Sequence, residues 1–266
     1  MYTSHLLSIF VSVSDMYITN TVHAHVFLNV GRTQVSTKGE ALVLLDVGSN
    51  VGLFTAAFVA ESEKVGVRTT THLFEPSWEM HHEGKRRLAS SSSTDHHFHH
   101  HNLGLSDRKS TAWLTKNRDD NPGWNGLAEE HDPLTPVRVG AWWQDELVWL
   151  ATLDDAWNGE RVDVMKIDVE GHEASVLNGA MQTIATHLPL LYIEVAWGTA
   201  HPAWASKNRH VYAALKDMGY VLVGEHVSGA GTKAGEGSLV TDRSKIAGLE
   251  TATATRNLVF ACEVYR

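Results

Sequence analysis

The stretch Leu44-Leu45-Asp46-Val47-Gly48-Ser49-Asn50-Val51-Gly52-Leu53-Phe54 decides the reading of this chain. An apolar run ends in an acid, passes through Gly-x-Asn-x-Gly and enters an apolar segment, which reads as a strand, a tight turn and a helix start. Glycines at such a turn accept positive φ and let a ligand approach bare backbone. The first amides of the following helix are expected to face that ligand. Asp46, at the carboxyl end of the strand, adds a negative charge that phosphate sites lack. The combination suits S-adenosylmethionine (SAM), with its ammonium, carboxylate and sulfonium, better than it suits a pyrophosphate.

The competing reading is the dinucleotide fingerprint Gly-x-Gly-x-x-Gly. Aligned on Gly48, its second glycine falls at Asn50 and its third at Leu53, so two of three positions fail. Thr71-His72-Leu73-Phe74-Glu75-Pro76 reads as the next strand, closed by Glu75 and then Pro76. An acid at the end of the second strand, roughly twenty residues past the glycine turn, stands where a ribose diol is gripped by a carboxylate. Pro76 ends the strand and suits the start of a helix.

The 266 residues fit one α/β domain with elaborations, and 43% hydrophobic with 20% charged residues is ordinary for a globular core. A net charge of −9 argues against a nucleic-acid binder. The one basic cluster, Lys85-Arg86-Arg87, is expected to face solvent on a helix. The single cysteine, Cys262, excludes an intramolecular disulfide and a Cys-based zinc cage. It lies in an apolar run and reads as a buried thiol. No apolar run is long enough to cross a bilayer. The opening Met1–Val13 lacks the charged start of a secretory signal, so a cytoplasmic protein is expected.

Residues 1–40 read as an N-terminal lead, with 41–266 as the domain. From Ala41 onward strand and helix signals alternate, which predicts a mostly parallel sheet with helices on both faces. Strands are expected at Ala41–Val47, Thr69–Glu75, His96–Leu103, Val162–Asp168, Leu188–Val195, Tyr220–Gly224 and Asn257–Val264. Helices are expected at Val51–Glu63, Ser77–Ser90, His172–Thr186 and Ala203–Met218, and Ser110–Thr115 as an edge strand. Asn117–Val139 and His226–Gly248 read as long loops, the first opening an insertion that extends to about residue 150. Trp124, Trp142, Trp143 and Trp149 are expected to form a small apolar cluster stapling that insertion. In the run His96-His97-Phe98-His99-His100-His101, strand geometry sends alternate imidazoles to opposite faces. The run by itself therefore makes no compact tetrahedral metal site.

A second constellation follows: Thr152-Leu153-Asp154-Asp155, then Lys166-Ile167-Asp168-Val169-Glu170-Gly171-His172-Glu173. Ligands of open parallel sheets bind outside the carboxyl ends of the strands. Asp46, Glu75, Asp168 and Glu194 each close a predicted strand, so four acids are expected on one edge.

These blocks, together with Asn102-Leu103-Gly104-Leu105-Ser106-Asp107 and Ile193-Glu194, resemble the successive motifs of the FkbM-type SAM-dependent methyltransferases over roughly residues 41–195. The Lys-Ile-Asp-Val-Glu-Gly block is particular to that family, whereas the glycine motif is shared by many SAM enzymes. The resemblance implies a Rossmann-like class I methyltransferase fold, a seven-stranded sheet whose last strand runs antiparallel. It also implies methyl transfer to a hydroxyl of a sugar or other small metabolite. By position, Asp46, Gly48, Asn50 and Gly52 would surround the methionine part of SAM, Glu75 would hold the ribose, and Asn102 and Leu103 would flank the adenine. Asp168, Glu170 and Glu194 would lie at the reactive edge. The poly-His third strand, the short lead and the Trp-rich insertion depart from the family pattern.

An acceptor hydroxyl needs a proton acceptor within hydrogen-bond reach. Asp168 and His172 are the first candidates, with Glu194 behind them and Glu170 and His201 on the substrate side. A magnesium ion on Asp168 and Glu170 is a minor variant, and no metal is assigned. Two other readings stay open at this level: a nicotinamide-dependent oxidoreductase, and a catalytically silent SAM-fold module that binds a partner.

Overall fold

A computed structural model describes residues 40–89, 95–117, 125–128, 143–158, 161–195, 209, 212–227, 238–240 and 256–262. Strand β1 (Leu42–Val47) is buried along its whole length, as expected of an aliphatic run covered on both faces of a parallel sheet. Helix α1 (Leu53–Lys64) follows from a left-handed Gly52, φ 75°. Then come β2 (Thr69–Phe74), α2 (Trp78–Leu88) and β3 (His96–His101). The second half of the sheet is supplied by β8 (Val164–Ile167) and β9 (Leu190–Val195), followed by a helix over 212–217, then β10 (Tyr220–Val227), β11 (Ser238–Val240) and β12 (Arg256–Cys262). The strand order is β11-β10-β12-β9-β8-β1-β2-β3. The five strands β3, β2, β1, β8 and β9 are mutually parallel, and β12 runs antiparallel to β9 and to β10.

Strand alternation divides the core in two. Leu42 and Leu44 share one face with Val164 and Tyr192, under Phe54 and Phe58 of α1. Leu45, Val47, Met165, Ile167, Leu191 and Ile193 face the other way, against Val176, Leu177, Ile184, Tyr212 and Leu215. Chain order reverses between β1 and β8, which opens a crevice at their carboxyl ends. Among the described residues, no helix is long and apolar enough to cross a membrane. Cys262 is buried and unbridged, and the Lys85-Arg86-Arg87 cluster lies at the outer end of α2, paired in part with Glu83.

The sequence reading needs five corrections. The single helix expected over His172–Thr186 is two, α4 (Glu173–Asn178) and α5 (Met181–His187). The break is tertiary. Asp154 accepts hydrogen bonds from the Gln182 and Thr183 amides (3.0 and 2.8 Å) and so starts α5 afresh. A Cβ on Gly179, in the break, would stand 1.9 Å from the Ser106 carbonyl oxygen. Asp154 itself belongs to a one-turn helix, α3 (Leu153–Ala156). Second, Ser110–Thr115 is not an edge of the main sheet. It lies in β5 (Ser110–Asn117), part of a separate sheet of order β4-β7-β5-β6 with β4 (Gly104–Leu105), β6 (Asn125–Ala128) and β7 (Trp143–Ala151).

Third, the described residues of the insertion are strand, and Ala112, Leu114, Val148 and Leu150 of this sheet pack a small core of their own. Fourth, Trp149 belongs to no buried cluster: it is 70% exposed, on the opposite face of β7. Trp124 and Trp142 lie outside the described residues. Fifth, the long loop from His226 contains the last residues of β10 and all of β11, which adds an eighth strand beside the seven expected.

The poly-His strand alternates as strand geometry requires. His96 is buried beside Thr69, with Oγ1 2.8 Å from its Nδ1, and His100 faces His81 of α2. His99 and His101 lie on the opposite face, stacked on His72 of β2 at 4.4 and 5.5 Å between ring centres. Burial, then the neighbouring His99 and His101, lowers the His72 pKa to about 4. Burial does the same to His100, also to about 4. A histidine whose folded pKa is depressed takes up protons more readily when unfolded. Its stabilising contribution is thus complete above pH 6.5 and is lost as pH falls toward 4. For the buried His72 the loss is on the order of 2 kcal/mol by pH 4.5. Urea denaturation should show the stability difference between wild type and His72→Asn narrowing by about that amount from pH 7 to 4.5. A pH-independent difference would refute the assignment.

Candidate functional site

The turn after β1 is locked by its own amides. Gly48 and Ser49 both donate to the Phe74 carbonyl (3.0 and 3.1 Å), and Gly52 donates to the Ser49 carbonyl (2.8 Å). Asn50 N–H donates to Glu75 Oε2 (2.9 Å) and Val51 N–H to Asn50 Oδ1 (2.8 Å). Gly48, Asn50 and Gly52 all sit at positive φ, 74°, 49° and 75°. Only glycine fits at position 48, because an added Cβ would lie 1.9 Å from the Asp168 carbonyl oxygen. The turns after β1 and β8 thus touch backbone to backbone.

Glu75 is buried and bridges two segments, accepting from Asn50 N–H and, through Oε1, from Ser77 N–H (2.8 Å). Burial pushes it up to about 7, against the pull of those two hydrogen bonds and of Lys166. Asn102 braces the same place from β3, its Nδ2 donating to the Glu75 and Pro76 carbonyls (3.0 and 2.9 Å). Leu103 packs half-buried on the main core just beyond. The glycine turn, Glu75, Asn102 and Leu103 lie at the carboxyl ends of β1, β2 and β3.

Asp46 has no exposed surface. Its Oδ2 accepts from Thr55 Oγ1 (2.7 Å), and its Oδ1 is held by Lys166 Nζ at 3.3 Å, an ion pair without an aligned hydrogen bond. Lys166 also donates to the Gly48 carbonyl (2.9 Å) and pairs with Asp168 Oδ2 (3.3 Å). Burial alone would lower the Lys166 pKa, but Asp168 and Asp46 outweigh it and hold the ammonium above the ordinary lysine value. Sequence reasoning missed Lys166 as a site residue. The signal was available, since a lysine in the middle of a buried strand requires partners.

Past β8, Asp168 is joined by Glu170 and by Glu194 from the end of β9, with carboxylate oxygens of all three within 4.8 Å of one another. Burial first, then the neighbouring Asp168, raises the Glu194 pKa well above the carboxylate range. Glu170 stands at a left-handed φ of 52°. It exposes surface to solvent, yet crowding around its carboxyl, reinforced by Asp168 and Glu173, lifts it to about 7. Glu173 is a second missed residue. It is buried and accepts from Gly171 N–H (2.9 Å), bracing the loop after β8 as Glu75 braces the glycine turn. His172 lies in the same loop, but its Nε2 is bonded to Ser106 Oγ at 3.0 Å. Ser106 has no exposed surface, so this contact ties the ring to the segment after β3. His201 lies outside the described residues.

The methyltransferase FkbM domain family matches residues 46–222, two thirds of the sequence and every element just described at the crevice. The chain belongs to the FkbM methyltransferase family. No curated protein matches it. Among solved structures it is similar to methyltransferase FkbM from Methylobacillus flagellatus KT, with 14% identity, 93% of this chain and 56% of that one covered, and a TM-score of 0.49. The CurJ carbon methyltransferase matches at 10% identity, 91% and 53% coverage and a TM-score of 0.44. Precorrin-6y C5,15-methyltransferase from Geobacter metallireducens GS-15 matches at 11% identity, 94% and 92% coverage and a TM-score of 0.42. The chain spans little more than half the length of the first of these. Membership in the family fits the Rossmann-like sheet order described above.

The contact between the two turns gives a direct test. Gly48→Ala combines positive φ with a backbone clash and should cost more than about 2 kcal/mol. Gly66→Ala, also at positive φ but facing open space, should cost only about 1–2 kcal/mol. Urea denaturation of both variants measures the difference, and equal losses would mean that the two turns do not meet as described.

Proposed function

We propose that the crevice between the ends of β1, β2 and β8 binds SAM and that the protein methylates a hydroxyl oxygen of a small metabolite or sugar. Family membership supports SAM as the donor, and one structural observation supports it over a dinucleotide. The five consecutive amides from Gly48 to Gly52 are all engaged within the protein, whereas a pyrophosphate site needs such amides free for phosphate oxygens. The crevice is instead edged by carboxyl groups, Glu75 on one side and Asp168, Glu170 and Glu194 on the other, which suits a cationic donor and its ribose diol. This counts against the nicotinamide reading.

Bound SAM would supply an already activated methyl group. The protein has then to align an acceptor oxygen with the methyl carbon and receive its proton. Positioning of this kind contributes roughly 7–11 kcal/mol to lowering a barrier in favourable cases. Asp168 is the proton acceptor best supported by geometry: it directly follows β8 and its Oδ2 is anchored by Lys166. Asp168 would receive the hydroxyl proton as the methyl group passed to the acceptor oxygen and its former bonding pair stayed with the departing sulfur. His172 is the weaker candidate, since its Nε2 is engaged with buried Ser106. Glu170 and His201 are proposed to contact the acceptor, in keeping with the family resemblance.

Incubation with methyl-labelled SAM and a panel of hydroxylated metabolites and sugars should label at least one acceptor. Calorimetry should detect S-adenosylhomocysteine (SAH) binding. Asp168→Asn should lower turnover far more than it weakens SAH binding, by two orders of magnitude or more, the usual scale of general-base catalysis. Lack of SAH binding by the wild type would end the SAM assignment. Undiminished turnover in Asp168→Asn would move the proton acceptor elsewhere.

A further inference from the structure

Lys166 is the one lysine in the crevice wall among the described residues, with a side chain only 6% exposed. Its Nζ lies 2.9 Å from the Gly48 carbonyl oxygen and 3.3 Å from a carboxylate oxygen of both Asp46 and Asp168, above the ring of Phe54 at 5.7 Å. An ammonium has three N–H groups, and these three acceptors surround it. Asp46 is closed off in the same way, with Lys166 on one oxygen, Thr55 on the other and no surface exposed. A ligand ammonium could reach Asp46 only by displacing Lys166 or Thr55. The Gly48 carbonyl, in contrast, belongs to the turn itself, and the turn continues through Asn50 N–H to Glu75. Whatever moves Lys166 therefore moves the backbone that shapes both the methionine and the ribose ends of the crevice.

We propose that Lys166 is the positioning residue of the cofactor crevice, holding the Gly48 turn to the end of β8, and that Asp46 acts on a bound adenosyl donor through this lysine and not by contact. The inference rests on the SAM reading above and assigns its most buried acid a different role from the one the sequence suggests. An acid that touches the donor's ammonium affects only ligands carrying that ammonium. An acid that shapes the turn affects every ligand that uses the turn.

The test compares two commercially pure probes on the full chain: SAH, and 5′-methylthioadenosine, which has the adenosyl group without the amino-acid end. Asp46→Asn keeps shape and removes charge. It should weaken both ligands by the same factor, tenfold or more and within about twofold of each other, in calorimetry. Loss of SAH affinity with 5′-methylthioadenosine unaffected would show direct contact and overturn the proposal, as would unchanged affinity for both.

Amide hydrogen exchange of the unliganded protein separates positioning from general support. In Asp46→Asn and in Lys166→Met, exchange should accelerate at residues 48–52 and 168–171 while β9 stays protected. Acceleration across the whole sheet would reduce Lys166 to a stability residue and sink the proposal. If Lys166→Met does not fold, Asp46→Asn carries both measurements. If the wild type binds neither probe, the SAM reading fails by itself, and the exchange pattern still decides whether Lys166 holds the turn.

Discussion

The backbone contact between Gly48 and Asp168 governs the architecture of the crevice. Two parallel strands that are not consecutive in sequence, β1 and β8, end side by side, and their exit turns touch with no space for a single methyl group. Such closeness is costly to arrange, since exit turns carry polar backbone that must be satisfied away from water. Here the glycine turn satisfies its own amides through Phe74, Glu75, Ser49 and Asn50, and Lys166 satisfies its Gly48 carbonyl. The result is a rigid lip, with the carboxyl groups as the part left to meet a ligand.

Acids are numerous around this lip, but burial and partners give them different work. Glu75 and Glu173 accept from backbone amides, one for each loop, and hold those loops in conformations with positive φ. Asp154 starts a helix. Asp163 ties the other end of the same sheet, accepting from Val43 N–H at 2.8 Å beside Arg161. Asp168, Glu170 and Glu194 form the one carboxyl group cluster of this size among the described residues. Like charges at such distances disfavour one another's ionisation, and burial adds to this at Glu194, whose pKa is raised.

The second sheet shows how an insertion stays attached to a fold it does not complete. Its inner face carries a four-residue aliphatic core, and Leu150 lies against Gly104, where a Cβ would come within 2.5 Å. Glu146 of β7 accepts from Trp78 N–H at 3.0 Å, at the start of α2. The insertion is thus fastened to the segments that follow β2 and β3, the same segments that Asn102 braces.

Much of this was legible in the sequence because it depends on local chemistry. Strand-forming runs ending in Asp46, Glu75 and Asp168 marked the strands, and glycines at 48 and 52 marked a turn whose φ values only small residues accept readily. Motif spacing alone carried the resemblance to the FkbM methyltransferases. What remained hidden depends on residues far apart in the chain. Helix 172–186 breaks because Asp154 and Ser106 arrive from other segments. Trp149 is exposed because an inner face of Ala112, Leu114, Val148 and Leu150 sets the parity of β7. Lys166 reads as an oddity in a buried strand until the fold brings Asp46, Gly48 and Asp168 around it. Sequence determined which residues end the strands; only tertiary structure decided which of those acids stay open to a ligand and which are neutralised inside, because that depends on the partners burial provides.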